Sequence, residues 1–252
     1  MEYTGDGVAI RLFGLEIRWY AVMIVTGMII AIYLAGKEAK RRGFDEEVIY
    51  DLAMIILPIS VLGARIWYVL FEWERYQGDF LAMINIRQGG LAIQGGIMAG
   101  LVTGYFFCKR KNLPFLTLAD ILFPVVALAQ GIGRWGNFFN NEAYGVATDL
   151  PWALIIDGQK VHPTFLYESI GDILLFFFLR YYSKNHAKAD GQVAMLYFVF
   201  YGILRFFVEG LRTDSLYWGE YRVAQILSIL GVIIGLVGYY LLSKKKMNKQ
   251  KV

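Results

Sequence analysis

Cysteine, histidine and proline are scarce in this chain, and each scarcity closes off some chemistry. A single cysteine, Cys108, excludes an internal disulfide and any cysteine-built zinc site. The two histidines offer no obvious general base: His186 falls in a basic connecting segment, and His162 stands before Pro163 at the start of an apolar run. No Ser-His-Asp set and no metal-ligand cluster can be written, so no cofactor or metal is expected. Five prolines and no Ser/Gly-rich linker leave no mark of a domain boundary, and residues 1–252 read as a single domain. Charge is thin as well. Only 18% of residues are charged against 57% hydrophobic, and the mean hydropathy of +0.46 lies above that of a soluble domain. The net charge of +4 comes from basic residues scattered over several connections rather than gathered on one face, which argues against nucleic-acid binding.

What the chain has instead is long apolar runs. A helix needs about 20 residues to cross roughly 30 Å of hydrocarbon, and runs of that length recur at about 17–36, 48–70, 90–108, 117–138, 164–182, 193–211 and 223–242. The expected fold is therefore an all-α polytopic membrane protein of about seven transmembrane helices. The segment Glu142 to Pro163 carries an Asp157-Gly158 pair between alternating residues, which predicts a small hairpin forming an extracytoplasmic head between spans four and five. Basic clusters at Lys37, Lys40, Arg41 and Arg42, at Lys109, Arg110 and Lys111, at Arg180, Lys184 and Lys188, and at Lys244, Lys245, Lys246, Lys249 and Lys251 fall on one side. That bias puts the C-terminus in the cytoplasm and the N-terminus outside. Glu2, Asp6 and Glu16 precede the first run and its basic cluster follows it, the reverse of a cleavable signal peptide.

Polar residues inside such runs are expensive and point to function. GIGRWGNFFNNEAYG, Gly131 to Gly145, holds Arg134, Asn137, Asn140, Asn141 and Glu142 among four glycines. At helical spacing Arg134, Asn137 and Asn141 share one face, while Gly131, Gly133 and Gly136 admit a close backbone or ligand. A cation with amide donors suits an anionic head group, above all a phosphate. In the sixth run Tyr201, Arg205, Glu209 and Arg212 fall on one stripe, where two arginines and one carboxylate leave a cation free to meet an anion. Glu168 and Asp172, four apart in the fifth run, are expected to pair inside the bundle. Other residues stay open at this level. Tyr20 is most simply an interfacial belt residue, and Arg65 either snorkels to the interface or meets a head group. Gln94 binds substrate or a neighbouring backbone group, and Gly96, Gly100 and Gly104 form a smooth stripe for helix packing. Arg134, Arg205, Glu209, Arg212, Tyr20, Gln94 and Glu142 all fall towards the outer half of the membrane, so three helices and a loop converge on one leaflet.

The segments GGLAIQGG, GRWGNFFNNEAYG, HPTFLYE and YGILRFFVEGLR, in that order behind RWY, resemble bacterial prolipoprotein diacylglyceryl transferase over nearly the whole chain. The resemblance implies an enzyme of the bacterial cytoplasmic (inner) membrane. It would move the diacylglyceryl group of phosphatidylglycerol to the lipobox cysteine sulfur of a prolipoprotein, forming a thioether and releasing sn-glycerol 1-phosphate. The thiol this chain lacks would come from its substrate. The family's central arginine, asparagine and final glycine match Arg134, Asn137 and Gly145, with Glu142 between them. Its early tyrosine matches Tyr20, and its later tyrosine, arginines and glutamate match Tyr201, Arg205, Arg212 and Glu209. Gln94 stands where many members have a histidine, and an amide cannot accept a proton at neutral pH. The expected mechanism has Arg134 and Arg205 holding the phosphate and stabilising the leaving group, with Asn137 and Glu142 orienting the head group. The positive field acidifies the thiol, whose free pKa is about 8.5, and Tyr20 or a water takes its proton. The rival reading, a transporter or channel for an anionic solute, calls for an internal repeat that the chain does not show.

Overall fold

In the computed structural model, which describes residues 1–86 and 89–249, the apolar runs are helices of 19 to 27 residues. They are α1 (Trp19–Arg41), α2 (Glu47–Phe71), α5 (Ile93–Lys111), α6 (Phe115–Phe139), α7 (Thr164–Asn185), α8 (Gln192–Leu211) and α9 (Val223–Lys249), with two short helices, α3 (Trp73–Tyr76) and α4 (Phe80–Ile84), between α2 and α5. Five of the long ones, α1, α2, α6, α8 and α9, have the length and composition to cross a membrane. α5 is diluted by glycine and ends in Lys109, Arg110 and Lys111, and α7 carries Glu168 and Asp172. Lys251 of the basic C-terminus lies outside the described residues.

The chain is not purely helical. Among the described residues, three two-stranded antiparallel hairpins join the helices: β1 (Val8–Leu12) with β2 (Leu15–Arg18), β3 (Leu154–Ile156) with β4 (Gln159–Val161), and β5 (Tyr217–Trp218) with β6 (Tyr221–Arg222). The second is the hairpin expected from Asp157-Gly158, and both of those residues have the positive φ that a type I′ turn requires (49° and 77°). The first was not expected. Its turn is Phe13-Gly14, also with both φ positive (48° and 80°), so Ile17 and Arg18 belong to a strand and the first helix starts at Trp19.

The residues divide into two compact units, Ala35–Leu118 and the remainder. In the smaller one, α2 packs on α5 where Gly63 meets Gly95: a methyl group at Gly63 would stand 2.8 Å from the Gly95 carbonyl. The predicted glycine stripe flanks this crossing, with Gly96 and Gly100 against Ser60, while Gly104 lies near Phe115. Arg65 is buried here. It donates to the carbonyls of Ala82, Met83, Gly89 and Gly90 at 2.7 to 2.9 Å, and its guanidinium lies 5.0 Å from the Tyr76 ring centroid. Neither of its expected alternatives holds, because the returning α3–α5 connection satisfies it internally.

In the larger unit, α6 is gripped on two faces. α1 packs across Ala129, Gly133 and Gly136 through Gly27, Ile24 and Tyr20, and α7 packs across Gly131 through Ser169 and Asp172. At the lower end Asp120 of α6 accepts from Gly191 N and Ala194 N at 2.8 and 2.9 Å, capping the start of α8. At the other end the N-terminal segment, the 140–163 connection and the 212–222 connection are laced together. Met1 N donates to Ala153 O at 2.7 Å, Glu2 bridges Ile155, and Gly145 pairs with Arg212. Leu154, Val161 and Phe165 form the core of this head, with Trp135, Phe138 and Tyr144 packed against it.

Candidate active site

α6 ends directly beneath the head, and how it ends decides which polar residues stay on it. Glu142 N bonds to Asn137 O at 3.0 Å and Asn141 N to Phe138 O at 3.2 Å, with Asn141 left-handed (φ 51°). This is a Schellman closure in which asparagine stands where glycine is usual. Arg134 and Asn137 therefore share a helical face as expected, but Asn141 does not: it is turned away and donates to Tyr3 O at 3.3 Å. Asn137 donates to Glu142 Oε1 at 2.8 Å, and Asn140 approaches the same oxygen at 3.4 Å, so the exposed carboxylate is held by two amides.

The centre of the ionic cluster is Glu168 of α7, only 2% exposed. Arg134 Nη2 donates to its Oε1 at 3.2 Å, and Arg134 Nε lies 3.0 Å from Oε2 as an ion pair without hydrogen-bond alignment. Arg205 Nη1 of α8 donates to Oε1 at 2.7 Å, and Arg205 Nη2 donates to Glu209 Oε2 at 2.6 Å. One carboxylate is thus shared by arginines from two helices, and Arg205 is held by two carboxylates. Trp135 Nε1 fixes the neighbouring turn of α7 through Ser169 Oγ at 3.1 Å. Asp172 sits one turn further along α7, fully buried, with neither carboxylate oxygen hydrogen-bonded among the described residues.

Tyr201 lies one turn before Arg205, close to Arg134, and its ring stacks on Tyr197 at 5.3 Å and 4°. Tyr197 in turn donates to Gln130 Oε1 at 2.8 Å. The predicted stripe breaks at its end. α8 stops at Leu211, so Arg212 has extended backbone and pairs with Asp214 at 2.8 and 2.9 Å. That hydrogen-bonded guanidinium holds the Asp214 carboxyl below the usual carboxylate range. Neither cation of the stripe is left unpaired: Arg205 meets Glu209 on α8 and Glu168 on α7, and Arg212 meets Asp214 beyond the helix, and periodicity on α8 alone could bring in neither Glu168 nor Asp214.

Gly145 is a junction. Its N–H bonds to His162 O at 2.9 Å, it pairs with Arg212, and a methyl group there would stand 3.0 Å from Leu211 O and 3.1 Å from Thr164 Cγ2. Tyr20, 38% exposed, packs on Gly136, which projects about 200° round the helix from Arg134 at 100° per residue. The structure therefore brings Arg134, Tyr201, Arg205 and Glu209 together, joins Asn137 to Glu142 at the end of the same helix, and sets Tyr20 on another face. Gln94 belongs to the smaller unit, exposed in the first turn of α5. The residue missed as a site member is Glu168. Its signal was present as the last letter of HPTFLYE, but only the packing of α7 between the two arginines reveals it as their common partner.

Fold and site together define a multi-pass membrane protein that carries a buried, charge-paired cluster within its helices. The sequence profile described as prolipoprotein diacylglyceryl transferase matches residues 7–241, and the chain belongs to that family. It is accordingly a transferase. Among curated relatives, the phosphatidylglycerol–prolipoprotein diacylglyceryl transferase of Finegoldia magna is 53% identical over 232 residues, covering 92% of this chain and 94% of that protein. The protein of the same name from Clostridioides difficile is 49% identical over 96% of this chain and 98% of its own length. Phosphatidylglycerol–prolipoprotein diacylglyceryl transferase 1 of Clostridium perfringens is 45% identical over 97% of each chain.

Proposed function

We propose that this chain transfers the sn-1,2-diacylglyceryl group of phosphatidylglycerol to the lipobox cysteine of prolipoproteins. In the reaction the cysteine sulfur bonds to the glycerol carbon that carries the phosphate. That carbon–oxygen bond breaks, sn-glycerol 1-phosphate leaves, and the thiol proton is taken up by a base or by water. The observation that carries this reading is the pair Arg134 and Arg205, set against one carboxylate from separate helices in a member of this family. Each guanidinium has five N–H donors, more than its carboxylate contacts use, so donors remain for a phosphate. Charge that builds on the departing oxygen meets two fixed cations in a low-dielectric setting. Asn137 and Glu142, at the mouth of α6, orient the glycerol head. Gly145 and Arg212 hold the loop around it, and Tyr201 steadies Arg134. Tyr20 or a water takes up the thiol proton.

Seven crossings, with the N-terminus outside and the basic C-terminus in the cytoplasm, agree with the distribution of lysine and arginine and place the head on the outer face of the bacterial cytoplasmic membrane. The test is transfer in phosphatidylglycerol vesicles to a lipobox peptide, read as the mass gain of a diacylglyceryl thioether. Arg134→Ala and Arg205→Ala are each expected to abolish it. Parental rates in either variant, or solute uptake without any transfer by the parent, would overturn the reading.

A further inference from the structure

We propose that Arg222 is a positioning residue for the transfer reaction, acting through Glu209 on Arg205; this rests on the reading of Arg205 as a phosphate-binding group. α8 ends at Leu211, and its last turn closes on groups beyond the helix: Glu209 O accepts from Arg212 N at 3.2 Å and Leu211 O from Val146 N at 2.9 Å. Two side chains, one at the end of β6 and one in the first turn of α9, supply further donors. Arg222 Nη1 donates to Glu209 O, and Gln225 Nε2 donates to Phe206 O at 3.2 Å. Arg222, half-buried, is itself held from behind. Its Nε donates at 3.0 Å to the hydroxyl of Tyr217, its cross-strand partner in the β5–β6 hairpin, and its guanidinium lies 5.8 Å from the centroid of that ring. The hairpin fixes the guanidinium, and the guanidinium fixes the last turn of α8. A cation at a helix C-terminus is also favoured by the helix dipole.

The turn so held is the one that presents Glu209. Its carboxylate carries Arg205 Nη2, while Arg205 Nη1 is carried by Glu168. These two anchors set the plane of the guanidinium, and a fork that meets a phosphate through parallel N–H groups is sensitive to that plane. When the end of α8 loosens, Glu209 swings, Arg205 pivots on its remaining anchor, and phosphatidylglycerol is gripped less well. The incoming thiol, which meets other groups, is unaffected.

The test uses the purified full chain in mixed vesicles with titrated phosphatidylglycerol and a lipobox peptide, with Arg205→Ala measured alongside. Arg222→Gln is expected to raise the KM for phosphatidylglycerol about tenfold and leave the peptide KM and melting temperature unchanged. Arg222→Lys keeps a donor for the Glu209 carbonyl and should recover most of the loss. Tyr217→Phe, which removes only the rear contact, should cost about twofold. A phosphatidylglycerol KM that stays parental in Arg222→Gln overturns the proposal. So does a parallel rise in both KM values, the mark of general loosening, or a lysine variant no better than glutamine. If Arg222→Gln does not fold, the lysine and phenylalanine variants carry the same comparison. If Arg205→Ala itself keeps the parental KM, the reading of Arg205 fails; if it loses lipid binding and Arg222→Gln does not, only the role of Arg222 fails.

Discussion

Arg65 and the pair Arg134/Arg205 are all arginines set among apolar helices, yet they are neutralised in different ways. Arg65 spends its donors on the carbonyls of one returning connection, Ala82 to Gly90, and stacks near Tyr76. Arg134 and Arg205 spend theirs on carboxylates, and one of these, Glu168, is common to both. A guanidinium closed over by backbone carbonyls acts as a structural clamp, because no carbonyl can leave without unravelling the chain. A guanidinium paired with a side-chain carboxylate keeps its fork geometry while its partner can shift by a rotamer. What separates the two cases is the covalent freedom of the partner.

The strongest way to break this contrast is to remove the shared anion. Glu168→Ala leaves two largely buried cations without their common partner and should cost roughly 3–5 kcal/mol, the usual penalty for breaking a buried pair. Thermal unfolding in detergent reads it, and transfer activity should vanish. Glu168→Gln keeps an acceptor and should lie between alanine and parent. Next comes Arg65→Ala, which strands four carbonyls and should cost about 2–4 kcal/mol when their desolvation is only partly relieved. Here the phosphatidylglycerol KM of the folded fraction should stay at the parental value. A KM shift as large as that of Arg205→Ala would erase the distinction between clamp and site. Arg65→Lys should rescue little, since one ammonium cannot serve four carbonyls in a plane.

Gly145→Ala should destabilise by roughly 1–3 kcal/mol, as overpacking does, because its methyl group meets Leu211 O and Thr164 Cγ2. The smallest effect belongs to the Arg212–Asp214 pair, whose carboxylate is half-exposed. With the Asp214 carboxyl held below its ordinary value by Arg212, its contribution is present above the unfolded-state pKa of about 3.9. It is lost as pH falls through the lower folded value. Asp214→Asn should therefore lower the melting temperature slightly at neutral pH and flatten the acid limb of the profile, converging on the parent below the folded pKa.

Much of this was legible in the sequence. Each predicted span overlaps a long helix, because an apolar run of membrane length offers few other solutions. The β3–β4 hairpin was readable because Asp-Gly is the chemistry its turn demands. The β1–β2 hairpin was not, since Phe13 takes the same left-handed geometry without being a turn residue. Within the site, Arg134 with Asn137 and Tyr201 with Arg205 and Glu209 could be grouped by helical spacing alone. Spacing ends where the helix ends, so Asn141 and Arg212 were assigned to faces they do not share. Periodicity also describes one helix at a time. Glu168 could be expected to pair within the bundle, but its service to two neighbours at once depends on which helices lie beside α7, and Arg65 likewise depended on how a loop returns.

The sharing of Glu168 has a consequence for any binding measurement. An anionic ligand that approaches Arg134 or Arg205 competes with an internal ligand already in place, and the observed dissociation constant is the difference between two affinities, not the strength of the new contact alone. Because that internal competitor bridges α6 and α8 through α7, dislodging it on one side relaxes its hold on the other. Occupancy of one guanidinium will therefore be felt as altered mobility of the opposite helix.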